Sequence, residues 1–189
     1  DGTLRFNDMK KILSPKDYNQ DASWYDIDGV ALVEFHSKAN ALGQNSMLIL
    51  EEAIDAVSNS KMKGIIVHND SQHFSCGVNL NSVRLFYKNE DWDGLDKFLK
   101  HFQDTVHKLA VAEFPTIVAP VGLSLGGGFE VVLHAKEVIC HANSNMGLVE
   151  SGVGLIPAGG GCKSHDQRYV RLVFHQDLCG IRCVVQGIG

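Results

Sequence analysis

Several absences narrow this chain before any motif does. No long basic run occurs among its 17 Lys and Arg, which are outnumbered by 22 Asp and Glu. The electrostatic footprint of a nucleic-acid-binding surface is therefore missing. No uninterrupted apolar run reaches the roughly 18 residues that a membrane span requires, and nothing at the amino terminus reads as a signal peptide. The sequence thus predicts neither a nucleic-acid nor a membrane partner. Nucleotide loops fail as well. No G-x-G-x-x-G opens a helix, and the run from Pro157 to Ser164 misses a Walker A because Pro157 and Cys162 stand where glycines are required. There is no H-E-x-x-H, and His165, His175, Cys179 and Cys183 lie in a poorly patterned stretch that makes a weak zinc candidate; no metal is expected. The five cysteines (Cys76, Cys140, Cys162, Cys179, Cys183) are odd in number and scattered, which favours reduced thiols and a cytoplasmic setting.

What is present suits one domain with a real core: 189 residues, of which 44% are hydrophobic. The chain opens on Asp1 rather than methionine, as a piece of a longer protein would. Residues 1–22 are polar and read as a leader or linker. Ile27 to Phe35 reads as one strand, rich in β-branched residues. Met47, Leu50, Ile54 and Val57 recur at helical spacing, and Gly64 to His68 reads as a short buried strand. A second helical stripe runs through Trp92, Leu95, Phe98, Leu99, Phe102, Val106 and Leu109. Thr116 to Val121 reads as a strand, Val131 to Leu133 as part of a helix, and Glu137 to Cys140 as a strand. This alternation predicts an α/β fold with crossover connections. Residues 164–189 show no clean periodicity.

The chemistry concentrates between Gly122 and Gly161, where Glu130 and Glu150 lie among apolar residues and glycines. A carboxylate in apolar surroundings has a raised pKa, and two close together resist ionising at once. Glycine turns add backbone N–H groups, so the pair is a candidate acid/base couple. The plainer alternative is two solvent-facing glutamates at element ends. A competing signal is Gly122-Leu123-Ser124-Leu125-Gly126, which matches the G-x-S-x-G nucleophile elbow between a strand and a helix. Its acid and base would be Asp166 and His175, with little fold left to return them to Ser124.

Taken in order, four segments resemble the crotonase (enoyl-CoA hydratase/isomerase) superfamily over about 27–161. They are Ala39-Asn40-Ala41-Leu42; Phe74 through Leu80; Gly122 through Glu130; and Gly147 through Gly160. The resemblance implies a crotonase-like spiral of ββα units over 23–163. The C-terminal helical part of the family has no counterpart in 164–189. It implies an acyl-CoA substrate with no separate cofactor, coenzyme A being part of the substrate. It also implies a homotrimer or hexamer and, in the likeness to bifunctional β-oxidation enzymes, a link to a 3-hydroxyacyl-CoA dehydrogenase domain. By motif position the oxyanion hole falls at the N–H groups of Cys76 and Gly127. Each fixed donor of that kind can contribute about 3 kcal/mol of transition-state stabilisation. Glu130 falls as the base on water and Glu150 as the acid at the substrate α-carbon. The substrate-binding segments carry Ala39, Ala41, Gly77, Val78, Asn79, Leu80, Gly126 and Ala158. Asn79 stands where aspartate is frequent and Ala158 where glycine is common. The activity implied is hydration of trans-2-enoyl-CoA. Alternatives are an isomerase of the same fold, a serine hydrolase using Ser124, and a non-catalytic acyl-CoA-binding scaffold.

Overall fold

The structure, a computed structural model, describes residues 5–163. Its frame is a six-stranded sheet. Three strands enter it antiparallel, β1 (Asp17–Tyr18), β2 (Ala22–Ile27) and β3 (Val30–Phe35). Three follow parallel to β3: β4 (Gly64–His68), β5 (Thr116–Ala119) and β7 (Glu137–Val138). The order across the sheet is β1-β2-β3-β4-β5-β7.

The stretch read as one strand from Ile27 to Phe35 is instead the closing half of a hairpin. Asp28 (φ 51°) and Gly29 (φ 81°) are both left-handed, and the Asp26 carboxylate accepts from the Gly29 N–H at 2.9 Å. Asp-Gly supplies the two positive φ angles that a two-residue hairpin turn demands. The apolar run on either side conceals it.

The parallel strands are joined by helices. Helix α2 (Gln44–Ser58) links β3 to β4 and buries Met47, Leu50, Ile54 and Val57. Helices α3 (Leu80–Lys88) and α4 (Trp92–Val111) lie between β4 and β5. Helix α5 (Gly127–Leu133) precedes β7. The predicted second stripe is α4, whose buried face is Phe98, Phe102, Thr105, Val106 and Leu109, while Trp92 stays exposed. Helix α3 went unpredicted; none of its residues is buried.

A second, smaller sheet also escaped prediction. It pairs β6 (Leu123–Leu125) with β8 (Asn145–Gly147), both three residues long. Single bridges extend it, Ser75 to Ser124, and a further one joins Leu42 to Val78. Successive turns of the chain therefore place one strand in the large sheet, one short segment beside it, and then a helix. That repeated unit is the expected spiral. One core joins the inner face of the large sheet to α2, α4 and α5.

The amino-terminal residues are not a free linker within the described part. Helix α1 (Phe6–Met9) sets Phe6 edge-on against Tyr25 at 5.2 Å. These two join Leu32, Met9, Leu13, Ile27 and Ile66 in a second cluster on the sheet. Lys10 Nζ reaches the two oxygens of buried Glu34 at 2.7 and 2.9 Å.

Candidate active site

The site is built where α5 begins. Gly126 caps it with φ 51° and ψ −123°, a conformation for which glycine is suited. Its own N–H donates to the Gly147 carbonyl of β8 at 2.9 Å. A Cβ on Gly126 would meet Glu150 Oε1 at 3.0 Å, so the glycine leaves room for that carboxylate. The N–H of Gly127 opens the helix, where first-turn donors have no intrahelical acceptor. A Cβ on Gly127 would lie 2.7 Å from Val78 Cγ2 and 3.3 Å from Phe102 Cζ. Three residues on, α5 carries Glu130, which is 1% exposed.

Glu130 is held by the glycine run that follows β8. Its Oε1 accepts from the Gly161 N–H at 2.8 Å, and the Gly159 backbone also donates to the carboxylate. Burial dominates and, with a smaller contribution from the charge of Glu150, pushes its pKa up to about 7 against the pull of the two backbone donors. Gly159 has no space for a side chain: a Cβ there would collide with Glu130 Oε2 and come within 2.5 Å of Phe102 Cε1.

Glu150 starts a 3₁₀ turn, Glu150–Val153, and its Oε2 is buried with no hydrogen-bond partner among the described residues. Such an oxygen can accept a hydrogen bond from a polar group brought into the site. The two predicted carboxylates are thus brought together around the start of α5.

The second predicted oxyanion donor is placed differently. The Cys76–Val78 loop does face Gly127: a Cβ on Gly77 (φ 100°) would lie 3.8 Å from Gly127 N, and one on Gly127 would lie 3.4 Å from Val78 N. Yet the Cys76 N–H donates to the Ala39 carbonyl at 3.2 Å. Ala39 (φ 57°) and Asn40 (φ 50°) are consecutive left-handed residues that are not glycine. The Asn40 side chain ties this loop to Ser71 Oγ and the His73 carbonyl at 2.9 and 2.8 Å.

The remaining predicted residues divide. Ala41 belongs to the same loop, its carbonyl accepting from Ser37 Oγ at 2.7 Å. Asn79 caps α3 through its side chain, accepting from the Asn81 N–H at 3.1 Å, and Leu80 begins that helix with its side chain exposed. The carbonyl of Ala158 is held by Gln103 Nε2 at 2.6 Å. Ser124 lies inside β6, fully buried, rather than on the turn an elbow nucleophile needs. Asp166, His165, His175, Cys179 and Cys183 lie outside the described residues. Among the described residues no cluster of His, Cys, Asp and Glu is suited to a metal, and no helix is long and apolar enough to cross a membrane.

Sequence reasoning missed three contributors. Gly161 supplies the hydrogen bond to Glu130, and Phe102 was read only as core. His134 is buried, with its Nδ1 2.7 Å from the Glu130 carbonyl. The glycine run itself was the only signal for the first; the other two look like ordinary helical-face residues.

The family profile for enoyl-CoA hydratase/isomerase matches residues 26–176. The chain belongs to that family. Within 147 residues it is 38% identical to a Bacillus subtilis (strain 168) protein called "Probable 3-hydroxyacyl-CoA dehydrogenase", covering 77% of this chain and 18% of the relative. It is 32% identical over 96 residues to the mitochondrial methylglutaconyl-CoA hydratase of Mus musculus, covering 50% of this chain and 29% of the relative. Among solved structures, an enoyl-CoA hydratase from Polaromonas sp. JS666 superimposes with a TM-score of 0.73 at 22% identity, covering 79% of this chain and 59% of that one. One from Thermoplasma volcanium GSS1 gives 0.72 at 19% identity, covering 81% and 61%. These likenesses show the crotonase fold. The chain spans less than a third of the length of these two curated relatives and about three fifths of the solved chains.

Proposed function

We propose that this member of the family adds water to a trans-2-enoyl-CoA thioester to give the 3-hydroxyacyl-CoA. The observation that carries the reading is the convergence of two carboxylates on the start of α5. Glu130 is buried and held by backbone donors, and Glu150 has a buried oxygen lacking a partner among the described residues. A water held between them can be deprotonated by one while the other supplies a proton.

In this reading Glu130 takes a proton from the water as its oxygen attacks the substrate β-carbon. Electrons move onto the thioester oxygen, which the Gly127 N–H holds, and return as Glu150 gives a proton to the α-carbon. The thioester oxygen gains a second donor once the Cys76 N–H exchanges the Ala39 carbonyl for it. No resident cofactor is required, since coenzyme A arrives with the substrate.

Purified protein is expected to hydrate crotonyl-CoA, and Glu130→Gln and Glu150→Gln should each lower turnover at least about 100-fold. Unchanged turnover in either variant removes the role assigned to that residue. Oxygen-18 from solvent water should appear in the product. Double-bond migration without label would instead identify the isomerase. Burial of Ser124 within β6 disfavours the hydrolase, which would release free coenzyme A.

The similarity to a protein named as a 3-hydroxyacyl-CoA dehydrogenase supports a place in β-oxidation beside such a domain. A homotrimer or hexamer is the assembly proposed for it. Free thiols at Cys76 and Cys162 are consistent with a cytoplasmic site of action.

A further inference from the structure

We propose that Phe102 limits the length of the acyl chain this site accepts, making it selective for short enoyl thioesters; the inference rests on the hydratase reading above. A thioester with its oxygen on the Gly127 N–H and its β-carbon facing Glu130 must run from Gly127 toward the carboxylate beside Gly159. The Phe102 ring is in contact at both ends of that path. Its Cζ lies 3.3 Å from the Cβ position of Gly127, and its Cε1 lies 2.5 Å from that of Gly159. One aromatic edge therefore borders the substrate from carbonyl to β-carbon, and a longer acyl chain has to pass it.

The ring is poorly placed to move aside. Phe102 is 2% exposed and meets Phe98 edge-on, with centroids 6.5 Å apart and planes at 71°. Phe98 in turn stacks on Phe86 of α3, 6.2 Å away. Two further rings thus back the wall, and packed interiors give way to added methylenes only with strain. A four-carbon acyl group places a single methyl past the β-carbon, whereas a ten-carbon one must thread a further run of methylenes past this row.

The test compares kcat/KM for crotonyl-CoA and trans-2-decenoyl-CoA. The wild type should favour crotonyl-CoA by about 100-fold or more, the scale on which apolar pockets discriminate by size. Phe102→Leu and Phe102→Met should each narrow that ratio about tenfold, whatever either loses in absolute rate. Val106→Ala, on the same buried helix face one turn further on, should lower both rates without moving the ratio. Calorimetric binding of butyryl-CoA and decanoyl-CoA reads the same preference without turnover. Equal rates on both substrates in the wild type, or a ratio unmoved in both Phe102 variants, overturns the proposal while leaving hydration intact. Preferential binding of butyryl-CoA with no hydration of either enoyl thioester supports the wall and overturns the hydratase.

Discussion

Burial of Glu130 sets function against stability at a single side chain. In the unfolded chain this carboxyl titrates at its ordinary value of 4.5; in the folded chain it titrates at about 7. Between these values the folded state keeps a proton that the unfolded state has lost, so stability falls as pH rises. Above 7 the folded protein carries the full cost of the buried anion. Glu130→Gln should therefore raise stability at pH 8 by about 1–2 kcal/mol, less than the shift alone implies, because an amide oxygen accepts where a carboxylate used two. Urea unfolding should show that gain at pH 8 and lose it at pH 4. The same titration should appear in turnover, with kcat/KM rising through a midpoint near 7 as the base ionises. Gly159→Ala is expected to cost turnover at least about 100-fold, since its methyl would displace Glu130 or the Phe102 ring. Steady-state kinetics on the folded variant checks it.

Among the elements, the loop carrying Ala39 and Asn40 stores the clearest strain. A left-handed residue with a Cβ costs roughly 1–2 kcal/mol, less for asparagine, and Ala39 carries that cost beside Asn40. Ala39→Gly relaxes the first without touching the Asn40 tether. It should stabilise the fold by up to about 1 kcal/mol and strengthen the hold of the Ala39 carbonyl on the Cys76 N–H. The KM for crotonyl-CoA should then rise several-fold while the melting temperature rises, a pairing that simple damage does not produce. Nothing in the sequence announces this loop geometry, because neither residue is a glycine. The helices and strands that could be read, α2, α4, β4 and β5, each bury a regular face. Helix α3 buries none, and β6 and β8 exist through pairing with distant partners, so local pattern could not reveal them. The two glutamates were legible because glycines cluster where backbone must come close to a carboxylate. Phe102 was legible as core, but its position as a wall depends on which loop the spiral brings against it.

At the scale of the molecule, the amino-terminal segment contributes to the domain. Phe6→Ala should cost about 2–4 kcal/mol, as truncation of a packed aromatic does. Chemical denaturation measures this directly, and a loss below 0.5 kcal/mol would return the segment to the status of a linker. The same sheet that α1 covers has two further boundaries. Among the described residues its edge strands, β1 and β7, are two residues long, and each sits beside a charged pair: Lys16 and Asp17 at one, Lys136 and Glu137 at the other. Apolar strands such as Gly64–His68 are kept in the middle. A neighbouring molecule seeking to extend the sheet would find few unpaired backbone groups and would have to desolvate ions to reach them. In a crowded solution, self-association by strand addition is disfavoured at both ends of the frame that holds the glutamates.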